Sequence, residues 1–250
     1  MYTYLIIFLA IVLESFPISS SGHIALVQRL LKILYLDPDF LLFLNGFTAL
    51  VLAIFFFKRW EFLVWALLRK RSVIQKIFVL GGITDGITVL FYFLCAKKFS
   101  LFPLCVGFLL TSLTLFSLFF CSNAGKGTWN YVSALVLGLV QSLALFPGIS
   151  RFGITFAVSR WFGMSNRKSF ELSFLIEFPI VLGACLLGGY KLYEKHLLWI
   201  FFNMPIIAIS SLAMIGALLG LWIMRVIISY NYLWLFSFYV MIISLLCMPL

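Results

Sequence analysis

Glu14-Ser15-Phe16-Pro17-Ile18-Ser19-Ser20-Ser21-Gly22-His23 is the stretch on which the reading of this chain turns. It holds the first acidic residue, one of two histidines and three consecutive hydroxyls, between largely apolar flanks, Met1–Leu13 and Ile24–Leu34. A polar decapeptide in hydrocarbon is costly unless something polar binds there. The first flank is about 13 residues, about 20 Å as a helix, and the second is no longer; neither covers a bilayer core of about 30 Å. Two short helices around a Pro-Ser-Gly break therefore predict a re-entrant hairpin that enters and leaves by one face. A similar break, Phe146-Pro147-Gly148-Ile149-Ser150-Arg151, follows about 130 residues later and leads into another short piece, Phe152–Phe162.

Composition places both breaks in a membrane. Of 250 residues, 64% are apolar and 10% charged, with 29 Phe, which excludes a soluble single core. Several apolar runs reach the length of a spanning helix, and helices satisfy their own backbone in lipid. The net charge of +10 is no nucleic-acid signal, because the basic residues cluster in loops between apolar segments. The five cysteines (95, 105, 121, 185 and 247) form no CxxC pair and read as small buried hydrophobes. Met1–Leu13 lacks a basic leader and a small-residue cleavage site, so it is not read as a signal peptide.

The expected crossings are Phe40–Phe57, Ile77–Cys95 and Leu101–Cys121, with Phe62–Leu68 in the interface, then Ser169–Gly189, Pro205–Arg225 and Leu233–Met248. The fold class is thus an all-α polytopic membrane protein, one domain over 1–250. Each half, 1–122 and 128–250, is a re-entrant helical hairpin plus three transmembrane helices. Three is odd, so the second copy is inverted, and sites in such folds form at midplane where broken helices meet. On this topology Lys58, Arg59, Arg69, Lys70, Arg71, Lys76, Lys126, Arg160, Arg167, Lys168 and Arg225 share one side. Arg29, Lys32, Lys97, Lys98, Lys191 and Lys195 share the other. The basic excess marks the cytoplasmic face, which puts the first hairpin's mouth and both termini outside.

The chemistry gathers at the breaks. Opposed tips would let Glu14 and Arg151 share one polar pocket. Ser20 and His23, three apart, fall on one face of a helix starting near Ser19. With Ser19 or Ser20 as N-cap, its free N–H groups make an anion site, and Gly148-Ile149-Ser150-Arg151 opens the opposite helix likewise. Arginine adds a forked donor suited to phosphate oxygens. The set points to phosphoryl chemistry. Plainer readings stand beside it: Ser20 as a cap, His23 as a polar tip residue, Arg151 as an interfacial anchor.

The motifs Glu14-x-x-Pro17-x-Ser19-Ser20-x-Gly22-His23 and Gln141-x-Leu143-Ala144-x-x-Pro147-Gly148-x-Ser150-Arg151-x-Gly153-x-Thr155 resemble those of the undecaprenyl pyrophosphate phosphatases of the bacitracin-resistance type. The likeness extends through Ser173-Phe174-Leu175 and Pro179 to Gly183-Ala184. It implies removal of the terminal phosphate from a polyprenyl diphosphate, regenerating the monophosphate carrier for cell-wall synthesis at a bacterial inner membrane. It carries over Glu14, Ser20, His23 and Arg151 as catalytic candidates, and Ser19, Gly148, Ser150 and Thr155 as substrate contacts. A divalent cation, Mg or Ca, is the implied cofactor, with Glu14 as its ligand. The expected partners are the lipid and the membrane, with a homodimer open and no nucleic acid.

Four positions depart from the family pattern. An acidic or amide residue four before Glu14 is replaced by Ala10, and the serine after the motif arginine by Phe152. Thr84-Asp85 stands for a usual Pro-Ala pair, and Glu177 lies where an apolar residue is usual. Losing one carboxylate weakens a cation site, and Asp85 or Glu177 is the candidate substitute; an inter-helix hydrogen bond is the plainer role for both. Two mechanisms stay open. Ser20 attacks phosphorus with His23 as base and Glu14 orienting it or holding the cation, or Glu14 activates water directly. A lipid carrier without hydrolysis, or a homologue without turnover, uses the same fold.

Overall fold

The structure is a computed structural model and describes residues 2–32, 37–69, 72–95, 102–121 and 125–248. Its first half holds α1 (Tyr2–Leu13), α2 (Ser20–Leu30), α3 (Pro38–Phe55), α4 (Phe57–Leu68), α5 (Ser72–Cys95) and α6 (Leu104–Phe116). The second holds α7 (Tyr131–Leu143), α8 (Arg151–Trp161), α9 (Asn166–Glu194), α10 (Met204–Ser229) and α11 (Phe236–Leu246). Among the described residues four helices are long and apolar enough to cross a membrane: Pro38–Phe55, Ile74–Cys95, Asn166–Glu194 and Met204–Ser229. Their outer faces suit lipid; on α5, Phe93 and Leu94 are 71% and 72% exposed. The helices flanking the two breaks are short, α1 with 12 residues, α2 with 11, α7 with 13 and α8 with 11.

Two expected crossings are shorter than the sequence suggested. Pro103 precedes α6, which has 13 residues before the 3-10 turn Ser117–Phe120. The 3-10 turn Leu233–Leu235 precedes α11, which has 11 residues. These two helices pack together. Ser112 Oγ donates to the Ser237 carbonyl at 2.9 Å and Ser244 Oγ to the Cys105 carbonyl at 2.8 Å. Conversely, α9 runs past Gly189 to Glu194 and passes through Pro179. Its far end is clasped to the start of α3. Lys191 Nζ lies 3.1 Å from Asp39 Oδ1, and Lys195 Nζ lies 2.7 Å from both Asp37 Oδ2 and Asp39 Oδ2. Hydrogen bonds to Asp37 and Asp39 raise the pKa of Lys195, so the clasp is charged at neutral pH and its lysine side is lost as pH rises through that raised value. Lys70, Arg71, Lys97 and Lys98, used above for orientation, lie outside the described residues.

Pairing between helices is regular. α1 packs on α10 and α7 on α5, while α3 pairs with α9 and α6 with α11. Ser15 Oγ, just past α1, donates to the Ala217 carbonyl of α10 at 2.9 Å. At the matching place, Gln141 Nε2 of α7 donates to Asp85 Oδ1 of α5 at 3.1 Å. Inward-facing threonines extend this second seam, with Thr84 Oγ1 donating to the Leu80 carbonyl of its own helix at 2.9 Å and lying 3.1 Å from the Ala134 carbonyl of α7. Such bonds matter in lipid, where no water offers an alternative partner.

The breaks themselves touch. Gly148 has φ of 90°, a conformation that side chains resist, and a Cβ there would lie 2.8 Å from the Leu104 carbonyl oxygen. A Cβ on Gly22 would lie 2.8 Å from both the Cα and the N of Gly148. Thr111 of α6 pins this contact, its Oγ1 donating to the Gly148 carbonyl at 2.8 Å and accepting from the Ser150 N–H at 2.9 Å. Gly148→Ala is therefore expected to destabilise the protein by at least about 1–3 kcal/mol. Thermal unfolding in detergent reads it as a lowered Tm. Gly82→Ala, where an added Cβ meets nothing within 4 Å, is the matched control and leaves Tm unchanged or raised.

Candidate active site

The local sequence builds each tip as a capped helix start. Ser19 caps α2, its hydroxyl accepting from the Gly22 N–H at 3.3 Å, and holds φ of 65°, rare for a residue with a side chain. Ser150 caps α8, accepting from the Gly153 N–H at 3.1 Å. Both short helices thus present their N-terminal ends toward a cavity of about 410 Å³ lined by Ala10, Glu14, Ser19, Ser20, Ser21, Gln28, Asn45, Thr48, Ser150, Arg151 and Phe152, among others. The two motifs, 130 residues apart in sequence, share one chamber.

Within it, Ser20 Oγ donates to Glu14 Oε1 at 2.7 Å, across the Phe16-Pro17 turn. This replaces the expected Ser20–His23 pair. The His23 ring turns the other way, with Nδ1 2.8 Å from the Ser19 carbonyl and Nε2 2.9 Å from the Tyr239 hydroxyl of α11. A carbonyl only accepts, so Nδ1 carries the hydrogen and, in the neutral ring, Nε2 accepts from Tyr239. The ring also sits edge-on to Phe108 and stacks on Tyr239. His23 therefore joins the tip to α6 and α11 instead of reaching Ser20.

Arg151 lines the cavity, and its Nη1 lies 3.6 Å from Glu177 Oε1 of α9. Glu177 is 1% exposed, neither of its oxygens has a hydrogen-bond partner, and Arg151 Nε and Nη1 are likewise unpartnered. Glu177 also interacts electrostatically with Glu14, and Asp85 with Arg151. One guanidinium thus sits among carboxylates from α5, α9 and the first break, in surroundings where charge is strongly felt. Asp85 takes its plainer role, accepting from Gln141, whereas Glu177 points to Arg151.

Other predicted contacts lie off the cavity wall. Thr155 Oγ1 donates to the Arg151 and Phe152 carbonyls of its own helix, and Gly148 is spent on the contact between tips. Three residues were missed. Tyr239 and Thr111 are polar groups in apolar helices, and nothing local marks their partners. Gln28 left a signal, a buried polar residue one turn-multiple beyond Ser21, with its Nε2 unpartnered beside the cavity.

Comparison with known proteins identifies relatives over most of the chain. The family described as bacitracin resistance protein BacA matches residues 6–246. An undecaprenyl-diphosphatase of Borrelia hermsii is 32% identical, covering 92% of this chain and 90% of that protein. One from Thermosipho africanus is 31% identical over 93% of each, and one from Pelotomaculum thermopropionicum 31% identical over 72% of this chain and 70% of the other. With both motifs in one chamber and the match running nearly end to end, the chain belongs to the bacitracin resistance protein BacA family.

Proposed function

We propose that this protein removes the terminal phosphate of undecaprenyl diphosphate, or a similar polyprenyl diphosphate, in a bacterial inner membrane. The carrying observation is the convergence of Glu14, Ser20 and Arg151 on one cavity between two helix N-termini. Hydrocarbon around it suits the prenyl tail, and the N-termini with Arg151 suit the diphosphate.

Ser20 attacks the terminal phosphorus, and the bridging P–O bond breaks to release the polyprenyl monophosphate. Glu14, already accepting the Ser20 hydrogen, takes the proton. Arg151 and the free N–H groups of α2 and α8 stabilise the transferring oxygens, and the Ser19 and Ser150 hydroxyls can donate while their oxygens serve as caps. Water then cleaves the phosphoserine, giving inorganic phosphate and returning the proton to Ser20. His23 positions the tip through Ser19 and Tyr239.

A divalent cation fits the donors present. Glu14 and the unpartnered Glu177 supply two carboxylates, Mg²⁺ binds readily to one or two plus substrate phosphates, and Ala10 offers none. Among the described residues no group of three or more His, Cys, Asp or Glu could hold a metal alone, so substrate oxygens would complete the shell. When bound, the cation neutralises charge on the phosphates.

The fold reading is two inverted repeats, 1–122 and 128–250, each a re-entrant hairpin followed by crossings. Its support is the matched short helices at each break and the exchanged packing of α1 on α10 and α7 on α5. The cavity then opens outside the cytoplasm. Cysteines placed singly at Lys58 and Lys195 test this: impermeant thiol reagent should label the second in intact cells and the first only after permeabilisation.

Phosphate release from polyprenyl diphosphate by purified protein, with and without Mg²⁺, tests the activity. Ser20→Ala should abolish both turnover and labelled phosphate trapped on the chain; full turnover in that variant returns the reaction to direct attack by water. Lipid flux in sealed liposomes without phosphate release would replace the enzyme by a carrier. Arg151→Lys keeps charge and loses the fork, with an expected fall in kcat of about 10²–10³-fold. Glu177→Gln keeps shape and removes the charge facing Arg151, for a smaller fall of about 10–100-fold.

A further inference from the structure

A second cavity among the described residues is larger than the one that holds the motifs. A space of about 740 Å³ lies among the end of α3, the start of α4, the first turn of α9 and the last turns of α10. Its walls carry Lys58, Arg59, Arg167 and Arg225, against one carboxylate, Glu171. Glu171 is shared, 3.5 Å from Arg59 Nη2 and 2.9 Å from Arg167 Nε. Lys58 and Arg225 have no ion pair among the described residues. Four cations from three elements facing one space repel each other, and one shared carboxylate leaves three positive charges uncompensated. All four line the same space, although they come from three elements. The positive end of α9, a helix of 29 residues, faces the same space.

The position of this cavity decides its occupant. It sits at the Ile54–Phe55 end of α3, whereas the candidate active cavity takes Pro38 to Thr48 of that helix. α3 has 18 residues, about 27 Å, close to the hydrocarbon thickness, so this cavity lies at the far end of a spanning helix from Pro38. Beside the cations lie exposed apolar side chains, Ile54, Phe57 and Phe62. A charged chamber with an apolar flank at a membrane boundary matches one kind of molecule. We propose that this cavity binds the phosphate headgroup of an anionic membrane lipid, with acyl chains along Ile54, Phe57 and Phe62. Arg59 and Arg225 supply forked donors to the phosphate oxygens, and Lys58 supplies a point charge.

Native mass spectrometry of the purified full chain tests this with dioctanoyl phosphatidic acid, dioctanoyl phosphatidylcholine and inorganic phosphate as probes. Phosphatidic acid should bind and phosphatidylcholine should not compete. Arg225→Gln should weaken phosphatidic acid about fivefold, and Lys58→Gln with Arg225→Gln about 25-fold. Both variants should keep turnover of polyprenyl diphosphate unchanged, since neither residue belongs to the candidate active site. Arg151→Ala should leave this binding in place, which separates it from lipid entering the other cavity. Unaltered affinity in both glutamine variants overturns the proposal, as does equal binding of phosphatidylcholine. Displacement of the lipid by equimolar inorganic phosphate would assign the cavity to free phosphate and overturn the lipid assignment.

Discussion

A Cβ on Gly22 would lie 2.8 Å from the Cα of Gly148, so the two breaks touch through backbone alone. Hydrocarbon makes that contact consequential. Each break carries polar groups that lipid cannot satisfy, and bringing them together lets one set answer the other. Glycine at both tips removes the side-chain volume that would keep Ser20 and Arg151 apart. Thr111 and the Ser19 and Ser150 caps then satisfy the Ser150, Gly22 and Gly153 N–H groups and the Gly148 carbonyl around the contact. The cavity is the space left where two capped helices cannot close further.

Charge inside that space has a consistent logic. Arg151 would be costly in a membrane interior without a partner, and Glu177 supplies one from α9 at 3.6 Å. The pair falls short of hydrogen-bonding geometry, and the guanidinium nitrogens Nε and Nη1 keep no partner. Ala10 lines the cavity from α1 without a polar group, while Glu177 of α9 stands behind Arg151.

Much of this was legible in the sequence because hydrocarbon punishes polar residues. Short apolar runs around Pro17 and Pro147 marked both breaks, and the residues around them are the ones that line the cavity. A cap at Ser19 or Ser20 was readable from hydroxyl, glycine and spacing; the structure gives it to Ser19 and caps the opposite helix with Ser150. The direction of His23 was not. Spacing of three put it on a face with Ser20, but the ring follows the aromatic partners Phe108 and Tyr239, supplied by helices far along the chain. Lengths of α6 and α11 were overread for a related reason. Apolar composition continues through Ser117–Phe120 and Leu233–Leu235, whereas the hydrogen-bond pattern tightens to 3-10 there.

The reassignment of the base follows from that geometry. Catalysis at Ser20 needs a proton acceptor within reach before attack, and Glu14 already holds the Ser20 hydrogen at 2.7 Å. Imidazole is the usual choice near neutral pH, but His23 is tied at both nitrogens by the interactions that brace the tip. Freeing it would break the contacts that set Ser19 in its strained conformation, and Ser19 starts the helix whose first residue is Ser20. A histidine that moved to serve as base would disorganise the nucleophile it was meant to activate. The carboxylate can accept the proton without moving, which is the ground on which Glu14 is proposed as the base.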